Sequence, residues 1–226
     1  MSDPGELEPV TRESTAAIIA NQLRSAIMYG SLAPGDQLTE TGLAAQLGVS
    51  RGPLREAMQR LVQEGLLRSE THRGLFVIDL DAADVRDIYH ARLAVERSAC
   101  LLIMQGNRGE ALVALTAALD RLVQAAESRD RVAMSDADQA FHQTLVQLSG
   151  NTRLQRMAET LLVETRMCLT VMQESYPEPA ELVEEHRVLV DAIADGDEQR
   201  LLRLIEEHML STVDQITDSG PAARAG

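Results

Sequence analysis

The chain has 226 residues, room for one small domain of about 70 to 80 residues and one of about 150. Hydrophobic residues at 45% exclude wholesale disorder, and aromatics at only 2% leave Ala, Leu and Met to fill the core, which favours helix over sheet. The net charge of −14 argues against nucleic acid until its distribution is read: residues 50–76 hold five Arg against three acids, so an acidic body carries one locally basic segment. All 21 basic residues are Arg, the side chain suited to bidentate contact with phosphate or guanine. Cys100 and Cys168 lie in helical patterns and read as reduced core residues. The N-terminus lacks a signal layout and no apolar run approaches the ~20 residues of a membrane span, so the chain is expected in the cytoplasm, with no membrane partner.

In chain order, residues 1–13 read as a flexible polar arm. A helix is predicted from Ser14 or Thr15 to about Tyr29, with Ile18, Ile19, Leu23, Ala26 and Ile27 on its apolar side and Gly30 as its stop. SLAPGDQL reads as a turn from which Leu38 re-enters the core. A short helix over 40–47 ends at Gly48, and Ser50 caps a longer one to about Glu64. Leu66–Ser69 and Leu75–Ile78 flank ETHRG as a hairpin with a charged tip. Helices follow at about 82–105, 108–128, 132–149, 152–174, 179–195 and 197–217, with short connections, and 218–226 reads as a disordered tail. The fold class is therefore mainly α: an N-terminal winged helix-turn-helix over 14–78 and an all-α antiparallel helical bundle over 79–217.

The stretch LAAQLGVSRGPLREAMQRLVQEGLL carries the detail of a DNA reader. Ala44, Leu47, Val49, Leu54, Met58 and Leu61 lock two helices about the Gly48 turn. Ser50 leaves backbone N–H groups at a helix start to meet phosphate, Arg51 lies in that first turn, and Gly52 lets the helix approach the groove wall. Arg55 and Gln59, four apart, flank the apolar stripe, and Arg and Gln read guanine and adenine in the major groove. Arg73 at the hairpin tip reaches the flanking minor groove or backbone. With LTETGLAAQLGVSRGPLREAMQRLVQEGLL followed by RGLFV, this half resembles the GntR family of bacterial transcription regulators. The resemblance implies DNA contacts from Ser50, Arg51, Gly52, Pro53, Arg55 and the Arg73–Gly74 tip; where some relatives carry an Arg early in the second helix, this chain has Thr41.

Asp138 and His142 are four apart on one helix, and His186 and His208 lie on the apolar stripes of two others. Three inward His with a carboxylate need partners, and nitrogen and oxygen donors without thiolate suit Zn²⁺, Ni²⁺, Mn²⁺ or Fe²⁺. Arg92 faces inward among Val85, Ile88, Tyr89, Val95 and Ala99; its anion is either Glu96 one turn on or a small carboxylate. ARLAVE, Asp138-x-x-x-His142 within FHQTLVQLSGN, EHRVLVDAIADGD and EEHM, in that order, make this half similar to the FCD effector domain of the FadR subfamily, and six helices place it nearer the VanR-like branch. That resemblance implies a metal held by Asp138, His142, His186 and His208, with Arg92 facing a small organic acid.

The resulting expectation is a homodimeric repressor whose two readers bind half-sites of a pseudo-palindromic double-stranded operator, responsive to a small carboxylate. A metal-dependent enzyme of the bundle is the alternative from another class. It lacks an HExxH arrangement or a nucleophile–base arrangement and leaves the reader unexplained, so the expectation is that the chain is not an enzyme. A regulator with a metal-free pocket is the remaining reading.

Overall fold

The computed structural model describes residues 14–171 and 178–218. The predicted arm over 1–13, residues 172–174 of one predicted helix and all but the first residue of the predicted tail lie outside the described residues.

The reader begins with α1 (Thr15–Met28), whose first turn is capped by Ser14 Oγ accepting from the Ala17 amide at 3.1 Å. Ile19, Leu23 and Ile27, four apart, bury one stripe of it. SLAPGDQL is not wholly a turn. Gln37–Leu38 forms a short strand, β1, which pairs antiparallel with Phe76 and Leu75. Two residues are too few to show an alternating pattern, so the sequence displays only the breaker Pro34-Gly35 before it. Next come α2 (Glu40–Leu47) and α3 (Arg51–Gln63), then β2 (Leu67–Glu70) and β3 (Gly74–Val77), in a sheet of order β1-β3-β2. Gly48 closes α2 at φ 65°, ψ 32°, the left-handed conformation in which a Cβ is strained. Leu54, Met58 and Leu61 of α3 pack with Ile19, Leu23, Leu66 and Val77 in one apolar core.

Six helices follow among the described residues: α4 (Ala82–Gln105), α5 (Arg108–Ser128), α6 (Arg131–Leu148), α7 (Thr152–Val171), α8 (Pro179–Asp195) and α9 (Glu198–Asp218). Their starts follow from local chemistry. Asp81 and Asp84 form a reciprocal capping box on α4, Asp130 accepts from Val132 and Ala133 on α6, and Asn151 Oδ1 accepts from Arg153 and Leu154 on α7. Pro179 opens α8, and Gly196 ends it at φ 74°. Helix α4 packs against α6, α7 and α9, so its inner face meets two of the three helices that carry the histidine cluster. Cys100 and Cys168 are buried free thiols, and burial raises the pKa of both. Among the described residues, no helix is long and apolar enough to cross a membrane.

One helix serves two cores. α7 contributes Leu162 to the bundle core, while its Val163 and Met167 are buried in the reader's core.

Candidate functional site

On the reader, Ser50 sits at the start of α3 with extended backbone and makes no side-chain cap, so its hydroxyl is available outward. Ser50, Arg51, Gly52, Arg55, Gln59, Arg73 and Gly74 are exposed, and Pro53 is partly buried. A Cβ built on Gly52 meets nothing within 4 Å, so the open wall here comes from the helix start itself. Arg55 Nε donates to both carboxylate oxygens of Glu40 at 2.8 Å, and Arg73 is ion-paired with Glu70, its guanidinium carbon 5.2 Å from the Phe76 ring centre. Hydrogen bonding to Arg55 holds the Glu40 carboxyl below its ordinary range. The sequence reading missed Glu40 as the partner that orients Arg55, because nothing in the spacing relates residues on two different helices.

In the bundle, α6 brings Asp138 and His142, α8 brings His186 and α9 brings His208 to one point. One ligand-type atom from each lies within 4.8 Å of all the others, and all four residues are buried. His142 Nε2 is 3.2 Å from both His186 Nε2 and His208 Nε2, and Asp138 Oδ1 is 3.1 Å from His186 Nε2. The opposite ring nitrogens meet only acceptors: His142 Nδ1 donates to Glu96 Oε2 at 2.6 Å, His186 Nδ1 to the Leu182 carbonyl at 2.7 Å, and His208 Nδ1 to Glu185 Oε2 at 2.7 Å. Each neutral imidazole therefore carries its proton on Nδ1 and aims an Nε2 lone pair inward. Three lone pairs and a carboxylate converge, and only a cation satisfies them: shared protons or a metal ion. Buried N₃O donors with every ring anchored from behind are the donor set and outer support that a transition metal requires, so these residues fit the implied ion.

The electrostatics of the proton-sharing state follow from the same contacts. Burial opposes ionisation of Asp138, yet hydrogen bonds from His142 and His186 hold its carboxyl well below its ordinary range. Burial and Arg92 push His142 down, but Glu96 and Asp138 outweigh them and its pKa is raised. Burial lowers His208 to about 4. Burial pushes Glu96 up, but Arg92 and His142 bring it down to about 2.

Glu96 resolves the question left open for Arg92. Its Oε1 accepts from Arg92 Nε at 2.6 Å while its other oxygen holds His142, so Glu96 is the arginine's anion and the histidine's anchor together. Among the described residues, Arg92 Nη2 is still without a partner, and so is Ser135 Oγ. Both residues line a small cavity of about 10 Å³ with Asp138, Thr165 and Arg166. Glu96→Gln is expected to weaken metal binding about 10- to 100-fold by loosening the His142 ring, measured by competition with a chromophoric chelator. Metal affinity equal to that of the parent chain would remove Glu96 from the site. Glu96 was legible as a neighbour of Arg92, but its hold on His142 runs between helices and leaves no trace in spacing.

Comparison with known proteins places these two constellations together. The family model described as bacterial regulatory proteins, gntR family, matches residues 15–77, and the FCD domain model matches residues 87–211. The chain is 32% identical over 187 residues to the Nta operon transcriptional regulator of Aminobacter aminovorans, covering 82% of this chain and 86% of that protein. It is 26% identical over 214 residues to the gluconate operon transcriptional repressor of Bacillus licheniformis, covering 92% and 88%. Among solved structures, a crystal structure of a GntR regulator from Rhodococcus sp. RHA1 superposes with a TM-score of 0.79 at 28% identity, covering 90% of this chain and 98% of that one.

Proposed function

The chain belongs to the gntR family of bacterial regulatory proteins and carries an FCD domain, and from this premise we propose that it is a repressor controlled by a small carboxylate bound beside a metal ion. It is a transcription regulator, and the relatives named as repressors support the sign of the control. In the proposed division of labour, residues 14–78 read DNA through Ser50, Arg51, Gly52, Pro53, Arg55, Gln59 and the Arg73–Gly74 tip, and residues 79–217 bind the effector and hold two copies together. Two readers in a symmetric dimer would face the half-sites of a pseudo-palindrome.

The observation that carries the effector reading is Arg92 Nη2, a buried cationic donor that has no partner among the described residues and belongs to a side chain lining the same cavity as Asp138. Asp138, His142, His186 and His208 would hold the ion, which supplies positive charge and open coordination positions for a carboxylate. Arg92 and Ser135 would orient that carboxylate with donors the fold leaves unspent. An effector that prefers the weakly binding conformation by about 1.4 to 3 kcal/mol would change operator affinity roughly 10- to 150-fold.

The test begins with selection of binding sites from random DNA by the purified chain, then gel shifts on the selected site with Zn²⁺-loaded protein and a panel of small carboxylates. A two-fold-symmetric site whose affinity changes with one carboxylate is the expected result. Selection of no site overturns the DNA reading, and a site indifferent to every carboxylate overturns the effector reading alone.

A further inference from the structure

Helix α7 stands between the cavity and the reader. Leu162, Thr165, Arg166 and Leu169 line the cavity from one side of it, while Val163 and Met167 are buried in the reader's core. Arg166 lies at the seam, its side chain only 5% exposed, with Nη1 paired to Asp136 Oδ1 at 2.9 Å. Its guanidinium carbon is 5.0 Å from the ring centre of Tyr29, immediately after α1, and Tyr29 Oη donates to the same Asp136 oxygen at 3.2 Å. One buried arginine thus touches both the place where Arg92 and Ser135 have unspent donors and the end of the reader's first helix.

We propose that Arg166 is the positioning residue that couples the cavity to the reader: a carboxylate in the cavity draws the Arg166 guanidinium away from Asp136 and Tyr29, and α7 moves with it. This rests on the effector reading above. Two physical facts favour it. The cavity of about 10 Å³ is the least that admits a single water, so an organic carboxylate displaces its lining, and four of the lining side chains belong to α7. The exchange is also cheap at its outer end: Asp136 is 45% exposed and regains water when Arg166 leaves, whereas the buried guanidinium exchanges one anion for another. Close packing then carries the shift to Val163 and Met167, which cannot move without re-aiming the elements packed on them.

The chain holds three Tyr, at 29, 89 and 176, so uniform 3-fluorotyrosine labelling gives few ¹⁹F resonances, assigned with Tyr29→Phe and Tyr89→Phe. Tyr89 lies under Arg92, 5.6 Å from guanidinium carbon to ring centre, and reports the cavity; Tyr29 reports the seam. Zn²⁺-loaded full chain is titrated with acetate, lactate, malonate and citrate. Both resonances are expected to move together with one of these anions, and in Arg166→Gln only Tyr89 should respond. Asp136→Asn and Tyr29→Leu, which leave the cavity lining intact and remove respectively the carboxylate and the ring that hold Arg166 at the seam, should tighten the same anion about fivefold or more, because the seam contacts no longer compete for Arg166. Tyr29→Leu does so without altering charge, and here Tyr89 is the readout. Movement of Tyr89 without Tyr29 in the parent chain, a Tyr29 response surviving in Arg166→Gln, or unchanged affinity in both seam variants each overturns the coupling while sparing the effector site. Silence of both resonances with every anion overturns the effector reading itself.

Discussion

Replacing His142 by Ala is expected to take metal content from about one ion per protomer to background, and to abolish any rise in melting temperature on adding Zn²⁺. His142 is the shared member of the cluster, with its Nε2 3.2 Å from the Nε2 atoms of both His186 and His208 and its ring fully buried. Loosening an outer support typically costs 10- to 100-fold in affinity, so removing a ligand should cost more than about 100-fold. Among the described residues, the hydrogen-bond and ring partners of His142 all belong to the bundle, so affinity for the selected operator in the absence of effector should stay within about twofold. Full metal occupancy in this variant would sink the assignment and return the cluster to a proton-sharing polar network. The pH dependence of the metal-stripped chain gives the same prediction a second reading. His142 is raised above its ordinary 6.5, so its contribution is present below that pH and lost as pH rises through the folded value. His208, lowered to about 4, acts oppositely, penalising the fold as pH falls from 6.5 toward 4. The metal-stripped chain should therefore be most stable near pH 6.5 by urea unfolding, and bound Zn²⁺ should remove the decline above it. A metal-free chain that keeps gaining stability from pH 6.5 to 8 would contradict the raised His142.

The sequence exposed much of this because helices write their inner faces at regular intervals. Asp138 and His142 are one turn apart, and His186 and His208 sit on stripes of Leu, Val and Ile, so three helices announced their inward residues before any was placed in space. All six bundle helices begin within a residue or so of their predicted starts because Asp, Asn and Pro mark those starts. What the sequence concealed is pairing across elements. β1 is a strand only because β3 lies beside it, and Glu96, Glu185 and Glu40 find their partners on other helices. Arg166 was the more accessible omission. It lies between Val163 and Met167 in a buried stretch of α7, the same sign of an inward cation that drew attention to Arg92. Ser135, a small hydroxyl on α6, becomes noticeable only when its buried oxygen proves to lack a partner among the described residues.

Arg55→Ala should lower affinity for the selected operator roughly 5- to 150-fold, the usual range for losing one bidentate base contact, and should relax selection at a single base position in each half-site. Nothing in the fold depends on this side chain. It is exposed and, among the described residues, its ion-pair partner is the half-buried Glu40, a surface contact of little weight, so the melting temperature should not change. The Glu40 contact makes the prediction sharper. Glu40 engages Nε, the inner nitrogen, which steadies the guanidinium while leaving its two Nη groups for the forked geometry that guanine O6 and N7 accept. Glu40→Gln should then act differently from Arg55→Ala. Non-specific binding should strengthen, because one negative charge leaves the phosphate-facing surface, while the ratio of operator to random DNA falls because Arg55 loses its aim. Arg51→Ala supplies the third pattern: a phosphate contact at the helix start should weaken all DNA alike and reduce the slope of log affinity against log salt by about one. Gel shifts at two salt concentrations on operator and scrambled DNA separate the three. Operator affinity unchanged in Arg55→Ala would mean that Glu40 holds the guanidinium away from the groove, and sequence reading would then fall to Gln59 on the next turn of α3.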